Sequence, residues 1–209
     1  METFWPVLGI LGALSLGVIS PGPSFLFIAQ RSASTSRIDG LASSLGMGIG
    51  GVFFAGLALL GLHSLFLVFP WLFAGLRLLG GGYLVFLGWK IWKGSKVLLS
   101  LEPGQVRLDP APGRSFVLGL LTQISNPKTA IVYGSVFASL LPAHFSWVFA
   151  VWLLHLVFLV EAGWYSFVAL ALSSTGPRRV YLGMKTVVDR SAATILGLLG
   201  VKLMFSSES

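Results

Sequence analysis

Six apolar stretches run along the chain, roughly Phe4–Ala29, Leu41–Phe69, Pro70–Trp92, Phe116–Leu141, Phe145–Leu172 and Ser191–Phe205. A bilayer core about 30 Å thick takes about 20 apolar residues of helix. The first five stretches exceed that length and the sixth is short. They are apolar on nearly every face, without the polar side that an amphipathic helix of a soluble domain presents. In lipid such segments are stable as helices, because every backbone group is then paired within its own segment. The pattern predicts an all-α polytopic membrane protein with six transmembrane helices, forming a single domain over residues 1–209.

The polar joins are very unequal. Stretches two and three are separated only around Phe69–Pro70, and four and five by Pro142–Ala143–His144. The other three joins, Gln30–Gly40, Lys93–Ser115 and Ser173–Arg190, are long and polar. They hold Arg31, Arg37, Lys93, Lys96, Arg107, Arg114, Arg178, Arg179, Lys185 and Arg190, while the chain start, the short turns and the tail hold no Lys or Arg. With six spans the three basic joins share one side. Basic loops stay in the cytoplasm, so both termini are predicted outside. Glu2 is the only charge before Arg31 and no basic n-region precedes the first apolar run, so that run is read as a retained helix.

Composition agrees. Of 209 residues 55% are hydrophobic and only 10% charged, against about 25% charged in soluble domains; mean hydropathy is +0.87. There is no cysteine, which excludes disulfide frameworks, CxxC redox chemistry and thiolate metal sites. The net charge of +7 sits in the joins, so it points to cytoplasmic loops and not to nucleic acid. His63, His144 and His155 are scattered, and no metal or cofactor is expected.

The halves echo one another. Ser20-Pro21-Gly22-Pro23 interrupts stretch one and Ser125-Asn126-Pro127-Lys128 interrupts stretch four. Gly88-Trp89-Lys90 in stretch three is matched by Gly200-Val201-Lys202 in stretch six. Three spans per half make the second half inverted. The expected layout is repeat one over about 1–96, a cytoplasmic loop over about 97–114 and repeat two over about 115–209, with helices 1 and 4 broken. Broken helices at corresponding places of inverted repeats point to a transport site at the repeat interface. The first break lies nearer the cytoplasmic end of its stretch, the second nearer the middle.

Proline inside a helix removes a donor and clashes with the turn before it, but it suits the first position of a new helix behind an Asn cap. Asn126 and Pro127 therefore read as the start of a half-helix, with Ser20 or Gly22 as cap and Pro21 or Pro23 as first residue at the other break. A helix N-terminus attracts anions, and Lys128 adds a full positive charge. Gly22 permits close approach. Glu161 lies deep in stretch five, where a carboxylate costs roughly 2.5–3.5 kcal/mol. It could bind an ammonium group, carry a proton or neutralise Lys128. Trp164 and Tyr165 share its face. A positive and a negative site in one bundle fit a zwitterion, an amino acid held by both ends; Gln123, Thr122, Ser125 and Tyr133 could add hydrogen bonds. Asp39, at the cytoplasmic mouth, is a gating candidate expected to pair with Arg37. Arg77 and Lys202 could snorkel outward. Gly46, Gly48, Gly50, Gly51 and Gly80–Gly82 allow close packing within one bundle or between two copies, which is compatible with a homo-oligomer. An intramembrane hydrolase would need Ser135 and His155, and no GxSxG motif supports them.

These residues carry a resemblance. Pro21-Gly22-Pro23 with Asn126-Pro127-Lys128, the run from Gly119 through Phe137, Gly56 to His63, Gly80 to Tyr83, and Glu161 followed by Trp164 together resemble the LysE/RhtB family of amino-acid exporters, above all its threonine and homoserine efflux branch. The resemblance covers nearly the whole chain. It implies a non-enzymatic, multi-pass protein of the bacterial inner membrane that exports small amino acids by proton antiport. The site residues then expected are Ser20, Pro21, Gly22, Pro23, Gln123, Asn126, Pro127, Lys128 and Glu161, with Glu161 also the proton-coupling candidate. Another amino acid, a cation or a small metabolite is the alternative cargo, and a passive channel is a further rival.

Overall fold

The computed structural model describes residues 4–20, 22–68, 70–96, 110–142, 144–173 and 175–205. These form α1 (Phe4–Ile19), α2 (Pro23–Ser34), α3 (Arg37–Val68), α4 (Pro70–Gly94), α5 (Pro112–Ile124), α6 (Pro127–Leu140), α7 (Trp147–Leu172) and α8 (Thr175–Phe205), with no strand among the described residues. Proline opens α2, α4, α5 and α6, a position where its fixed φ helps and its missing N–H is no loss. Ser146 starts α7 as a side-chain cap, its Oγ accepting from the Phe149 amide at 3.1 Å.

Stretches one and four are each broken, as expected: α1 and α2 meet at a bend of 59°, and α5 and α6 are separated by Ser125 and Asn126. The sixth stretch differs. α8 begins at Thr175 and takes most of the third basic join into the helix, where Lys185 and Asp189 form an i,i+4 pair at 2.7 Å. Hydropathy saw only its apolar second half. Among the described residues α3 (as Arg37–Gly61) and α7 are long and apolar enough to cross a membrane, and the bent α1–α2 pair makes a third candidate span. Trp147 and Leu79 are 74% and 73% exposed, apolar surface that only lipid or a partner would cover.

Contact register gives the helix directions. Ser43 Oγ donates to Ser115 O at 2.9 Å and Gly50 faces Gln123, so α3 and α5 run parallel. Gly40 faces Ala169 and Gly51 faces Glu161, so α3 and α7 are antiparallel. α4 and α8 are antiparallel too, with Gly81 against Gly200 and Gly88 against Gly197. The glycines named from sequence on α3, together with Gly81, thus serve seams inside one chain. At Gly46 an added Cβ would lie within bonding reach of Phe116 O, so only glycine lets α5 approach this closely.

The helix ends adjoining the three basic joins gather at one end of the bundle. Arg37 Nε donates to Ser173 Oγ at 2.9 Å, the Ala111 amide donates to Asp39 at 3.0 Å, and Lys185 Nζ reaches Ser95 O at 3.3 Å. Two apolar cores are stacked along the bundle. The one nearer the basic end contains Phe25, Ile28, Met47, Val168 and Leu172; the farther one contains Ile10, Leu14, Phe137, Leu153 and Leu196. A polar layer separates them. The side chains of His63 and Arg77, and residues 97–109 of the expected cytoplasmic loop, lie outside the described residues.

Candidate functional site

The polar layer forms where the two breaks meet. α2 and α5, the half-helices between the breaks and the basic end, have 12 and 13 residues, so both breaks sit at about the same depth. The apolar stretches leave Gln30–Ser34 out of α2 and Pro112–Ser115 out of α5, so neither shows the full length of its half-helix.

Gly22 caps α2 and Asn126 caps α6, each with extended backbone and a proline following. Asn126 Oδ1 accepts from the Lys128 amide at 3.0 Å, and its Nδ2 donates to Ser24 Oγ at 2.8 Å. The Lys128 side chain folds back over Gly22, where a Cβ would lie 3.3 Å from Lys128 Cδ. Its Nζ donates to Ser20 O at 2.7 Å, so the cation of one broken helix ties off the last carbonyl region of the other.

Ser24 is the hub. Its Oγ donates to Gln123 Oε1 at 2.6 Å, and Gln123 Nε2 in turn donates to Glu161 Oε2 at 2.9 Å. Tyr133 donates to Glu161 Oε1 at 2.8 Å. Glu161 and Gln123 are each only 1% exposed. Gly51 of α3 makes the room, since a Cβ there would stand 2.8 Å from Glu161 Cγ. Each carboxylate oxygen is thus met by a neutral donor, and Glu161 shares its cavity with Lys128. This inner cavity, about 20 Å³, is also lined by Ser20, Gly22, Ser24, Gln123, Asn126, Tyr133 and Tyr165. That is space on the scale of one water. Ser20 Oγ is buried here without a hydrogen-bond partner. A vestibule of about 510 Å³ adjoins it towards the basic end; Gly22, Asn126 and Lys128 line both spaces, while Pro23, Pro127, Lys90, Lys185 and Asp189 line only the vestibule.

Of the residues singled out in sequence, the structure brings Ser20, Gly22, Gln123, Asn126, Lys128 and Glu161 to the inner cavity, with Pro23 and Pro127 at its mouth. Pro21 lies outside the described residues. Thr122 and Ser125 do not line the cavity, Ser125 being exposed; Tyr133 and Tyr165 do. Ser24 was missed, though the repeat held the signal: aligning Gly22-Pro23 with Asn126-Pro127 sets Ser24 opposite Lys128. His155 sits on an exposed face with Nδ1 against Val151 O at 2.8 Å, away from buried Ser135. Among the described residues no three His, Cys, Asp or Glu side chains are grouped to hold a metal.

Asp39 pairs with Arg31 (3.7 Å) and not with Arg37; residues two apart on a helix point to different faces, and Arg37 turns to Ser173. Ser36 caps the start of α3, its Oγ accepting from the Asp39 amide at 3.1 Å and donating to Asp39 Oδ2. Asp39 Oδ1 also accepts from Ser115 Oγ and from the Ala111 amide. One fully buried carboxylate thereby serves the positive ends of both α3 and α5. Asp39→Ala is expected to destabilise the protein by about 3–5 kcal/mol, read as a lowered melting temperature in detergent, with Asp39→Asn losing less.

An all-helical bundle with lipid-type surface, two helices broken at one level, and a buried acid and base lining one cavity has the build of a membrane transporter. The chain belongs to the LysE type translocator family, whose model matches residues 15–207. It is 34% identical over 194 residues to the threonine efflux protein of Escherichia coli (strain K12), covering 91% of this chain and 93% of that protein. The threonine efflux protein of Salmonella typhi is 31% identical over 192 residues, with the same coverage of 91% and 93%. An uncharacterized membrane protein of Escherichia coli (strain K12), YahN, is 28% identical over 208 residues, or 98% of this chain and 92% of that protein. No solved structure matches.

Proposed function

We propose that the protein is a secondary active transporter exporting small neutral amino acids, threonine- or homoserine-like, from the bacterial cytoplasm in exchange for protons. The observation that carries this is a single cavity lined by both Lys128 and Glu161 at the facing starts of α2 and α6. The substrate carboxylate is complemented by Lys128 and the two helix N-termini; the ammonium is complemented by Glu161. The threonine efflux proteins among its relatives support the substrate class and the direction.

The bundle is read as six spans, α1–α2, α3, α4, α5–α6, α7 and α8, in two inverted repeats. The antiparallel packing of the repeat-equivalent pairs, α3 with α7 and α4 with α8, supports this. The basic end faces the cytoplasm of the inner membrane and both termini lie outside. In the present conformation the inner cavity is too small for an amino acid, so loading requires Lys128 to leave Ser20 O and Gln123 to release Glu161. The Asp39 knot, which ties α2, α3 and α5, acts as the cytoplasmic gate. Protonation of Glu161 from outside releases the ammonium; loss of that proton inward resets the site.

The test is threonine and homoserine counterflow in proteoliposomes under an imposed proton gradient. Saturable, gradient-sensitive movement is expected, with other small neutral amino acids competing. If neither moves while a cation or another metabolite does, the zwitterion site is wrong; conductance without saturation would mean a channel.

A further inference from the structure

The vestibule carries polar chemistry that the central site does not use. Asp189 of α8 lines it and is only 3% exposed. Its Oδ2 accepts from Lys185 Nζ at 2.7 Å, while its Oδ1 is buried with no hydrogen-bond partner. Lys185 cannot supply one. An ammonium has three donors, and those of Lys185 are directed to Asp189 Oδ2 and to the carbonyls of Gly94 and Ser95, at 3.4 and 3.3 Å. Lys185 thus closes the open end of α4, and one oxygen of Asp189 keeps its capacity for a cationic donor. A purely structural staple between α4 and α8 would need Oδ2 alone. Across the same space lies Lys128, which lines both cavities.

We propose that the vestibule is a second amino-acid subsite, loaded before the central one, in which the Asp189 carboxyl group turns into the space so that Oδ1 takes the substrate ammonium, while Lys128 takes the carboxylate. This rests on the amino-acid reading given above. A substrate moving inward then keeps its carboxylate on Lys128 throughout, while its ammonium passes from Asp189 to Glu161. Neither charged end has to be stripped of its partner in the low-dielectric interior before the next partner is within reach. Zwitterions are selected twice: a molecule lacking either charge fails at the vestibule.

Threonine uptake into everted membrane vesicles, which present the cytoplasmic face, is measured beside exchange in right-side-out vesicles. Asp189→Asn keeps the side-chain shape and is expected to raise KM at the cytoplasmic face by about tenfold or more, with little change at the opposite face. Lys185→Gln breaks the same ion pair but leaves the carboxylate, so it is expected to lower that KM while costing thermal stability. A cytoplasmic KM unmoved by Asp189→Asn, a rise equal at both faces, or an equal rise in Lys185→Gln would overturn the subsite. If Asp189→Asn does not accumulate, Asp189→Glu gives the same readout, with a smaller rise expected because the charge is kept and only misplaced. Wild-type vesicles that move neither threonine nor homoserine would overturn the amino-acid reading and the subsite with it; transporting vesicles with an unmoved variant sink the subsite alone.

Discussion

Glu161→Gln is expected to leave a folded protein whose gradient-driven threonine efflux falls by about a hundredfold or more. The fold survives because the network can re-pair. In the parent, Glu161 accepts from Tyr133 and from Gln123 Nε2, and Gln123 Oε1 accepts from Ser24. A glutamine at 161 still accepts from Tyr133 but sets its own amide NH₂ against that of Gln123. One rotation of the Gln123 amide resolves this: its oxygen then faces position 161 and its NH₂ faces Ser24 Oγ, which can accept. Shape and the pairing at position 161 are thus restored; the charge is gone, and the Ser24 hydroxyl, which then accepts from both Gln123 and Asn126, must turn its hydrogen away from Gln123. A melting temperature within a few degrees of wild type, with efflux that no longer responds to the imposed gradient, is the expected pair of results. Coupled efflux that persists in this variant would remove Glu161 from the proton pathway.

The two residues central to that expectation were legible in the sequence for reasons of cost. A carboxylate in the middle of an apolar stretch is too expensive to be kept idle, and Asn126-Pro127-Lys128 inside another stretch can hardly be a continuous helix. The partners of Glu161 were less legible. Ser24 costs nothing in the first turn of a half-helix, and its meaning lies in Gln123 and Asn126, 99 and 102 residues away along the chain. Asp39 shows the same limit. Its charge marks it and proximity in sequence suggests Arg37 as its partner, whereas helix geometry assigns Arg31 and the start of α5. The first half of α8 was lost to hydropathy, which measures preference for lipid and is blind to a charged helix closed by Lys185 and Asp189. The vestibule subsite lay hidden in that half.

Lys128→Met is the complementary expectation. Methionine keeps an unbranched chain that can lie over Gly22 and fill much of the same space, so the fold is retained, while the ammonium that bridges to Ser20 O and faces both cavities is removed. Loss of one charge-assisted contact to a carboxylate predicts threonine binding weaker by about tenfold to a hundredfold. Lys128→Arg is not expected to rescue it, because the guanidinium is a rigid planar fork and the lysine stem already stands 3.3 Å from the place a Gly22 Cβ would occupy. Affinity alone would not separate this from general damage, but selectivity does. If Lys128 holds the carboxylate, Lys128→Met loses its preference for threonine over the amino alcohol that lacks a carboxylate, and still discriminates against the hydroxy acid that lacks an ammonium. Glu161→Gln should show the weaker converse: it keeps the preference over the amino alcohol and loses part of its discrimination against the hydroxy acid, the rest being supplied by Asp189 in the vestibule. Two variants that lose both discriminations alike would mean that neither residue reads its own end of the substrate. A crossed pattern would tie the cation to the carboxylate and the anion to the ammonium, since a merely structural role for either side chain has no reason to sort ligands by which charge they lack.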